Sequence, residues 1–426
     1  MDIYKTETFA KKVKPHLHIR ICLKILRYTG TWPPEELGST RVLFFIYSIF
    51  AFIFILGIYN VVQFVNIIKN YNDVNKLASG GPLFITNALN AYKFITIIRY
   101  HRRIYKLLSI IDSPMFSKDN VRYERIVSWY AWQGIFHHGV YQIFGFFAVF
   151  FWASVPLYII INDKENKEKE LPLDAWYPYD TTGAFAFIIT WAHQGIAILL
   201  CCINNLAIDS FIAGLINVAS CQFEILKWNF SSLANNIEEE NISSNLNENE
   251  LKIYKYKKIN DQIRSYIQHN LAIFDFVTEI ENIFSRVVGL QLLLSCFVIC
   301  LSTFYVSQAT TFTPVEFIGN FAYVLCMTYQ IFVYTFQGNE LYLQNENLCT
   351  AIYMGNWWKL NTRYKRDLYM IMIRTRRPLV VSTTFLIKLT IPTFMSVSFI
   401  FLFNNIFYFL KYTTVGNYRY DCTRTG

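Results

Sequence analysis

The stretch Val42–Ile67 reads VLFFIYSIFAFIFILGIYNVVQFVNI and contains no charged residue. An α-helix rises about 1.5 Å per residue, so about 20 apolar residues cross the hydrocarbon core of a bilayer. This stretch is long enough to do so. Six further apolar runs follow: Leu77–Ile98, Tyr130–Ile161, Thr182–Ser220, Ile280–Gln308, Pro314–Phe336 and Leu379–Leu410. Within or at the edge of all seven, the basic residues are Arg41, Lys93, Arg286 and Lys388. The sequence therefore predicts an all-α membrane protein with seven transmembrane helices. Composition agrees, because 54% of the 426 residues are hydrophobic and 16% charged. Soluble domains carry about 25% charge, and a soluble chain of this length would need several charged surfaces. A soluble multidomain enzyme is excluded, and so is disorder.

Lys and Arg sort between the two sides of this arrangement. The connections 1–40, 99–129, 221–279 and 337–378 together carry 27 of them. The alternate connections 68–76, 162–181, 309–313 and 411–426 together carry 8. Cytosolic loops are enriched in basic residues, so the N-terminus is expected in the cytosol and the C-terminus outside. G-protein-coupled receptors have the opposite orientation. Their acidic-Arg pair after the third span and Asn-Pro motif in the seventh are also missing. Here Arg99–Tyr100–His101–Arg102–Arg103 follows the second span, and Ile391 precedes Pro392. The net charge of +9 is then cytosolic bias and attraction to anionic lipid, with no nucleic-acid partner implied.

The organisation expected along the chain is as follows. Residues 1–40 form a cytosolic segment without a cleavable signal, and Trp32–Pro33–Pro34 is a turn at the membrane surface. Residues 41–336 hold six spans, with a flexible Asn-, Ser- and Glu-rich cytosolic loop at 231–250. Leu251–Glu279 regains helical spacing and runs into the fifth span as one long helix. Residues 337–378 form a cytosolic anchor, 379–410 the seventh span, and 411–426 an extracellular tail. In the anchor, Trp357, Leu360, Tyr364, Leu368 and Ile371 recur at steps of three and four, giving one apolar helix face. Read as one helix over Leu341–Arg376, the anchor either lies flat on the membrane or packs against other cytosolic helices, and its 36 residues favour packing.

No phosphate loop, nucleophile elbow or zinc motif occurs, so neither an enzyme nor a cofactor is expected. The nine cysteines show no zinc-ligand spacing, and Cys422 alone is clearly on the outer side. His137, His138 and His193 fall within spans and are expected to be packed or hydrogen-bonded. The sequons at Asn229 and Asn241 lie on the cytosolic side and should not be glycosylated. Aromatic density is the stronger signal. Phe84, Asn87 and Tyr92 of the second span, with Phe147, Phe150, Phe151 and Ser154 of the third, are candidates to wall a pocket. Phe187 and Trp191 of the fourth span and Phe317, Asn320 and Phe321 of the sixth join them, and the same aromatic runs include Trp152 of the third span and Tyr323 of the sixth. Contact with lipid or helix packing is the alternative for each. Along the last span, Asn404 and Asn405 precede a bulky patch of Ile406, Phe407 and Leu410. This patch either closes a pore by dewetting or packs against another helix.

The C-terminal third resembles the insect odorant receptors. The residues that carry this are Phe336–Gln337–Gly338–Asn339–Glu340–Leu341, Ala351–Ile352–Tyr353, Trp357, Arg374–Thr375–Arg376–Arg377–Pro378–Leu379 and Pro392–Thr393–Phe394. Lys93–Phe94 and the inverted seven-span order fit as well. The resemblance implies an odorant-gated, weakly selective cation channel, built as a hetero-tetramer with a shared odorant co-receptor. It implies a small volatile organic ligand among the second, third, fourth and sixth spans, a pore lined by the last helix, and a cytosolic helical anchor between subunits. The short connection between the fourth and fifth spans marks a ligand-binding tuning subunit. Its place would be the plasma membrane of an olfactory dendrite or cilium, in contact with membrane lipid. A gustatory receptor channel of the same superfamily, or a metabotropic seven-span receptor, is the alternative.

Overall fold

The protein is described by a computed structural model covering residues 16–34, 39–116, 121–162, 171, 175–181, 183–233, 248–308, 314–355, 357–376, 379–384 and 387–396. The gate candidates Asn404, Asn405, Ile406, Phe407 and Leu410, the tail and Asn241 lie outside these residues.

Helix α1 (Leu17–Tyr28) precedes the first span, which is α2 (Ser39–Ala51), a π turn (Phe52–Gly57) and α3 (Ile58–Lys69). The later spans are α4 (Val74–Ile111), α5 (Val121–Asn162), α6 (Ala184–Ser232), α7 (Glu248–Gln308) and α8 (Pro314–Met354). A 3-10 turn (Trp357–Lys359) and α9 (Thr362–Thr375) follow, and 391–396 begins the seventh span as helix. Among the described residues, the extended structure is a single antiparallel bridge between Ser382 and Lys388. This is the all-α, seven-span architecture expected. Five described segments, in the first, third, fourth, fifth and sixth spans, are long and apolar enough by themselves to cross a membrane. Helix α4 is more polar because Gly80, Gly81, Asn87, Asn90 and Lys93 interrupt it.

The 49-residue α6 is the centre of the bundle and packs on α1, α4, α5, α7 and α8. Its residues from Asn204 to Phe223 are all buried. Side chains on the bundle's outside are large and apolar, as a lipid-facing surface requires. They include Ile46, Phe50 and Val61 of the first span, Phe146 and Phe150 of α5, and Ile188 and Ile196 of α6. Between helices, small residues permit close approach. The ring of His18 in α1 is wedged between Gly134 of α5 and Gly214 of α6, where its Nε2–H donates to the Gly214 carbonyl at 3.4 Å. A Cβ on Gly134 would lie 2.6 Å from that ring. Burial lowers the pKa of both His16 and His18 to about 4.

Three details of the expected organisation can be followed in the structure. Trp32 of the expected turn is buried within the bundle. It packs on Tyr105 at 4.6 Å and Phe211 at 6.4 Å between ring centroids, while the Tyr105 hydroxyl donates to Pro33 O. The long helix into the fifth span exists, with 61 residues in α7. The segment Leu341–Arg376, in contrast, is not one helix. Helix α8 continues to Met354 and then breaks at Gly355, where a Cβ would crowd the Ile352 and Phe230 carbonyls at 3.3 Å. Asn361 then caps α9, its Oδ1 accepting from the Thr362 N–H at 2.6 Å.

The anchor face is also turned inward. Leu360, Tyr364, Leu368 and Ile371 are buried in the chain's own core, with Trp357 partly buried against it. The apolar side chains left outward are Tyr353, Met354, Trp358, Tyr369, Met370 and Ile373. Outside the spans, Arg103 of α4 grips Glu279 of α7 through two bonds of 2.6 and 2.8 Å. The guanidinium holds the Glu279 carboxyl below its usual range.

Candidate functional site: a two-part cavity above a buried ion pair

Among the described residues, two adjoining cavities share a wall within the bundle. The larger, a vestibule of about 260 Å³, is lined by Gln63 of α3, Ala78, Ser79, Gly80, Pro82 and Leu83 of α4, Trp152 and Val155 of α5, and Ser302 and Tyr305 of α7. Leu171 and, from α8, Glu316, Asn320 and Tyr323 complete it. The smaller, an inner chamber of about 40 Å³, is bounded by Thr86 and Asn87 of α4 and by Gly145, Ala148 and Val149 of α5. Its far wall is Ile198, Cys201, Cys202, Asn205 and Leu206 of α6 with Cys326 and Met327 of α8. Leu83, Trp152 and Tyr323 line both and form the throat between them. The Trp152 and Tyr323 rings lie 4.9 Å apart, and the Tyr323 hydroxyl is held 2.7 Å from that of Thr86.

Helical spacing explains which residues reach this space. Gly145, Ala148, Val149, Trp152 and Val155 occupy one stripe of α5 at steps of three and four. Gly319, Asn320, Tyr323, Cys326 and Met327 do the same on α8. Gly319 lets the Trp152 ring lie flat on α8, since a Cβ there would sit 2.8 Å from Trp152 Cδ1.

Of the twelve residues singled out in the sequence, Asn87 lines the chamber and Asn320 the vestibule. The others lie elsewhere. Phe147, Phe150, Phe317 and Phe321 are exposed on the bundle's outer surface, Tyr92 is exposed, and Ser154 bonds back to Phe150 O. Phe84 stacks on Phe64 of the first span, and Phe151 stacks on Phe147. Trp191 donates to Ala153 O at 3.2 Å and ties α6 to α5, and Phe187 is buried. Of the throat residues, Trp152 and Tyr323 belong to the aromatic runs of the third and sixth spans expected to wall a pocket, and Leu83 was missed. Small residues sharing their helix faces mark the helix-facing side of a span.

Beneath the chamber lies a polar core that single-residue reading did not find. Lys93 and Asp209 form an ion pair at 2.5 Å, with both side chains almost wholly buried. Asp209 Oδ1 also accepts from the Tyr334 hydroxyl at 2.8 Å, and Oδ2 from Tyr141 at 3.2 Å and from Gln330 Nε2. Lys93 Nζ donates to Asn205 Oδ1 at 2.8 Å, and Asn205 is in the chamber wall. Gln330 Oε1 then accepts from Gln291 and Ser295 of α7. A buried charge is tolerated when paired and fully hydrogen-bonded. Four spans (α4, α5, α6 and α8) meet at this one carboxylate. The three histidines of the spans are packed or bonded: His137 to Tyr329, His138 to Cys22, and His193 edge-on to Phe54. Asn229 is buried and accepts from the Tyr123 hydroxyl at 2.5 Å.

The Phe336–Leu341 motif has a structural reason as well. The Leu389 backbone crosses directly over Gly338, whose Cβ would lie 2.5 Å from the Leu389 oxygen. Asn339 Oδ1 accepts from the Ile391 N–H at 3.4 Å, at the first residue of the seventh span. The motif therefore seats that span on α8.

Comparison with known proteins agrees with this architecture. Residues 73–399 match the sequence pattern of the family described as 7tm odorant receptor. Odorant receptor Or1 of Anopheles gambiae is 21% identical over 385 residues, which cover 87% of this chain and 89% of that protein. Odorant receptor 46a, isoform A, of Drosophila melanogaster is 18% identical, covering 84% and 88%. Among solved structures, the olfactory receptor OR5 of Machilis hrabei in complex with eugenol superposes with a TM-score of 0.76. That match has 15% identity, covers 93% of this chain and 99% of OR5, and shows a shared fold. With the match spanning most of the chain, and the bundle organised as described, this protein belongs to the insect 7tm odorant receptor family.

Proposed function

We propose that the chain is the ligand-binding subunit of an odorant-gated, nonselective cation channel. A small volatile enters the vestibule, displaces the throat and favours a state in which the pore helices separate. The observation that carries this reading is the two-part cavity among α4, α5, α6 and α8. Its volume, its shared throat and the mostly apolar walls of its inner chamber suit a small ligand held by burial, at roughly 25 cal/mol per Å². The OR5 structure, with eugenol bound, is of the same fold. Agonism follows from tighter binding to the open state than to the closed one.

In this reading the N-terminus is cytosolic and the C-terminus extracellular, as the basic residues sort. The seventh span lines the pore, with Asn404, Asn405, Ile406, Phe407 and Leu410 as pore and gate residues. The chain assembles with a shared co-receptor as a hetero-tetramer in the plasma membrane of olfactory dendrites. The outward apolar residues around α9, Trp358, Tyr369, Met370 and Ile373, are the subunit-facing part of the anchor. Trp357, Leu360, Tyr364, Leu368 and Ile371 support them from within.

The test is to express the chain with and without a co-receptor and to record currents under a volatile panel. Current that requires co-expression and persists under G-protein blockade supports the proposal. A response abolished by that blockade points instead to a metabotropic receptor.

A further inference from the structure

The polar residues of α4 that face the bundle interior are satisfied, with one exception. The Thr86 hydroxyl pairs with Tyr323, Asn90 donates to Cys201 O and accepts from Asn204, and Lys93 is bound to Asn205 and Asp209. Asn87 is 4% exposed, and among the described residues its Nδ2 has no hydrogen-bond partner. A buried amide left unpaired costs about 1–3 kcal/mol. Such a group is commonly retained where something other than the protein completes it.

Asn87 lines the inner chamber, whose other walls are chiefly aliphatic, aromatic and thiol. The chamber's volume of about 40 Å³ holds one polar group with a carbon or two, not a whole odorant. The vestibule of about 260 Å³ on the far side of Leu83, Trp152 and Tyr323 holds the remainder. Among the described residues that line the chamber none is charged, and Lys93 and Asp209 neutralise each other behind Asn205. At the vestibule, Glu316 opposes a carboxylate ligand.

Building on the proposed odorant-receptor function, we propose that the inner chamber is an oxygen-recognition subsite. Asn87 Nδ2–H donates to a single neutral oxygen at one end of the ligand, and the apolar body lies in the throat and vestibule. The ligand class is then a neutral monofunctional alcohol or carbonyl compound. Hydrocarbons and carboxylates of the same skeleton are disfavoured. The selectivity arises because a hydrocarbon leaves the amide buried and unpaired, while an oxygenated ligand completes it.

The experiment compares n-octanol, methyl hexyl ketone, n-octane and octanoate on the full-length subunit co-expressed with a co-receptor. Wild type, Asn87→Leu and Asn87→Asp are scored for current and for surface labelling. Wild type is expected to respond to the alcohol or ketone at concentrations about 10- to 100-fold below those needed for the alkane. Asn87→Leu is expected to erase that gap, by losing potency for the oxygenated compounds and keeping or gaining it for octane. Asn87→Asp, whose buried carboxyl can donate through a protonated O–H, should keep part of the ketone response that Asn87→Leu loses. If Asn87→Leu fails to reach the surface, Asn87→Ala serves for the same comparison. A gap that survives in Asn87→Leu or Asn87→Ala, or an equal shift for octanol and octane, overturns the subsite. A wild-type response confined to octanoate overturns it too. If wild type gives no current to any volatile with any co-receptor, the proposed function fails, and the subsite with it.

Discussion

Breaking the Lys93–Asp209 pair should destabilise the bundle in an asymmetric way that the geometry dictates. Removing one partner of a buried ion pair costs about 3–5 kcal/mol, because the other charge is left unpaired. Lys93→Met leaves the Asp209 carboxylate with three neutral donors, Tyr141, Tyr334 and Gln330. Its cost falls near the lower end, about 3 kcal/mol. Asp209→Asn leaves the Lys93 ammonium with only neutral amide oxygens, that of Asn205 and that of the substituted side chain, and no counter-charge in a buried site. Its cost falls near the upper end, about 5 kcal/mol. The double variant removes both charges and keeps the tyrosines paired to an amide, so it should cost less than Asp209→Asn alone. The assay is thermal unfolding of the detergent-solubilised complex, followed by size exclusion, with surface labelling in cells. The predicted order of melting temperature is wild type, then the double variant and Lys93→Met, with Asp209→Asn lowest. A double variant that melts below both singles would refute the reasoning, since the two losses would then be independent.

Other consequences are more local. Gly319→Ala should push the Trp152 ring into the throat, shifting ligand potency severalfold while surface labelling is unchanged; dose–response curves measure it. Gly338→Ala should displace Leu389 and the entry to the seventh span, giving a subunit that reaches the surface but passes much less current. The docking of α1 should weaken in acid. His16 and His18 have folded pKa values of about 4, below the unfolded 6.5, so the undocked state binds more protons between those values. Stability therefore falls as pH drops through that window, by about 1 kcal/mol per histidine at pH 5.5. Hydrogen exchange over residues 17–28, corrected for intrinsic rates, should quicken at pH 5.5 relative to pH 7.5, and His18→Phe should blunt the change.

The spans were legible because apolar runs and alternating basic loops are properties of the chain itself. Val42–Ile67 needs no partner to be read as a span, and the Leu251–Glu279 pattern predicted the length of α7. The pocket was legible only in part. Large aromatic residues drew attention, yet in a lipid-embedded bundle Phe147, Phe150 and Phe317 sit comfortably outside, because lipid is as apolar as a protein core. The inner faces were written in small and polar residues, such as Gly145 and Ala148 around Trp152. The anchor was legible in the same partial way. The spacing of Leu360, Tyr364, Leu368 and Ile371 identified a buried face correctly but could not say which neighbour buries it. The Lys93–Asp209 pair joins residues 116 positions apart, and periodicity within one helix cannot report that.

The central claim is that a volatile acts from the cavity among α4, α5, α6 and α8. It is tested most directly by filling the throat with Leu83→Trp and recording volatile-evoked current from the co-expressed complex, with Phe150→Ala on the outer surface as control. The account predicts that Leu83→Trp reaches the surface and loses the volatile response, while Phe150→Ala keeps its dose–response curve. An unchanged curve for Leu83→Trp would contradict it.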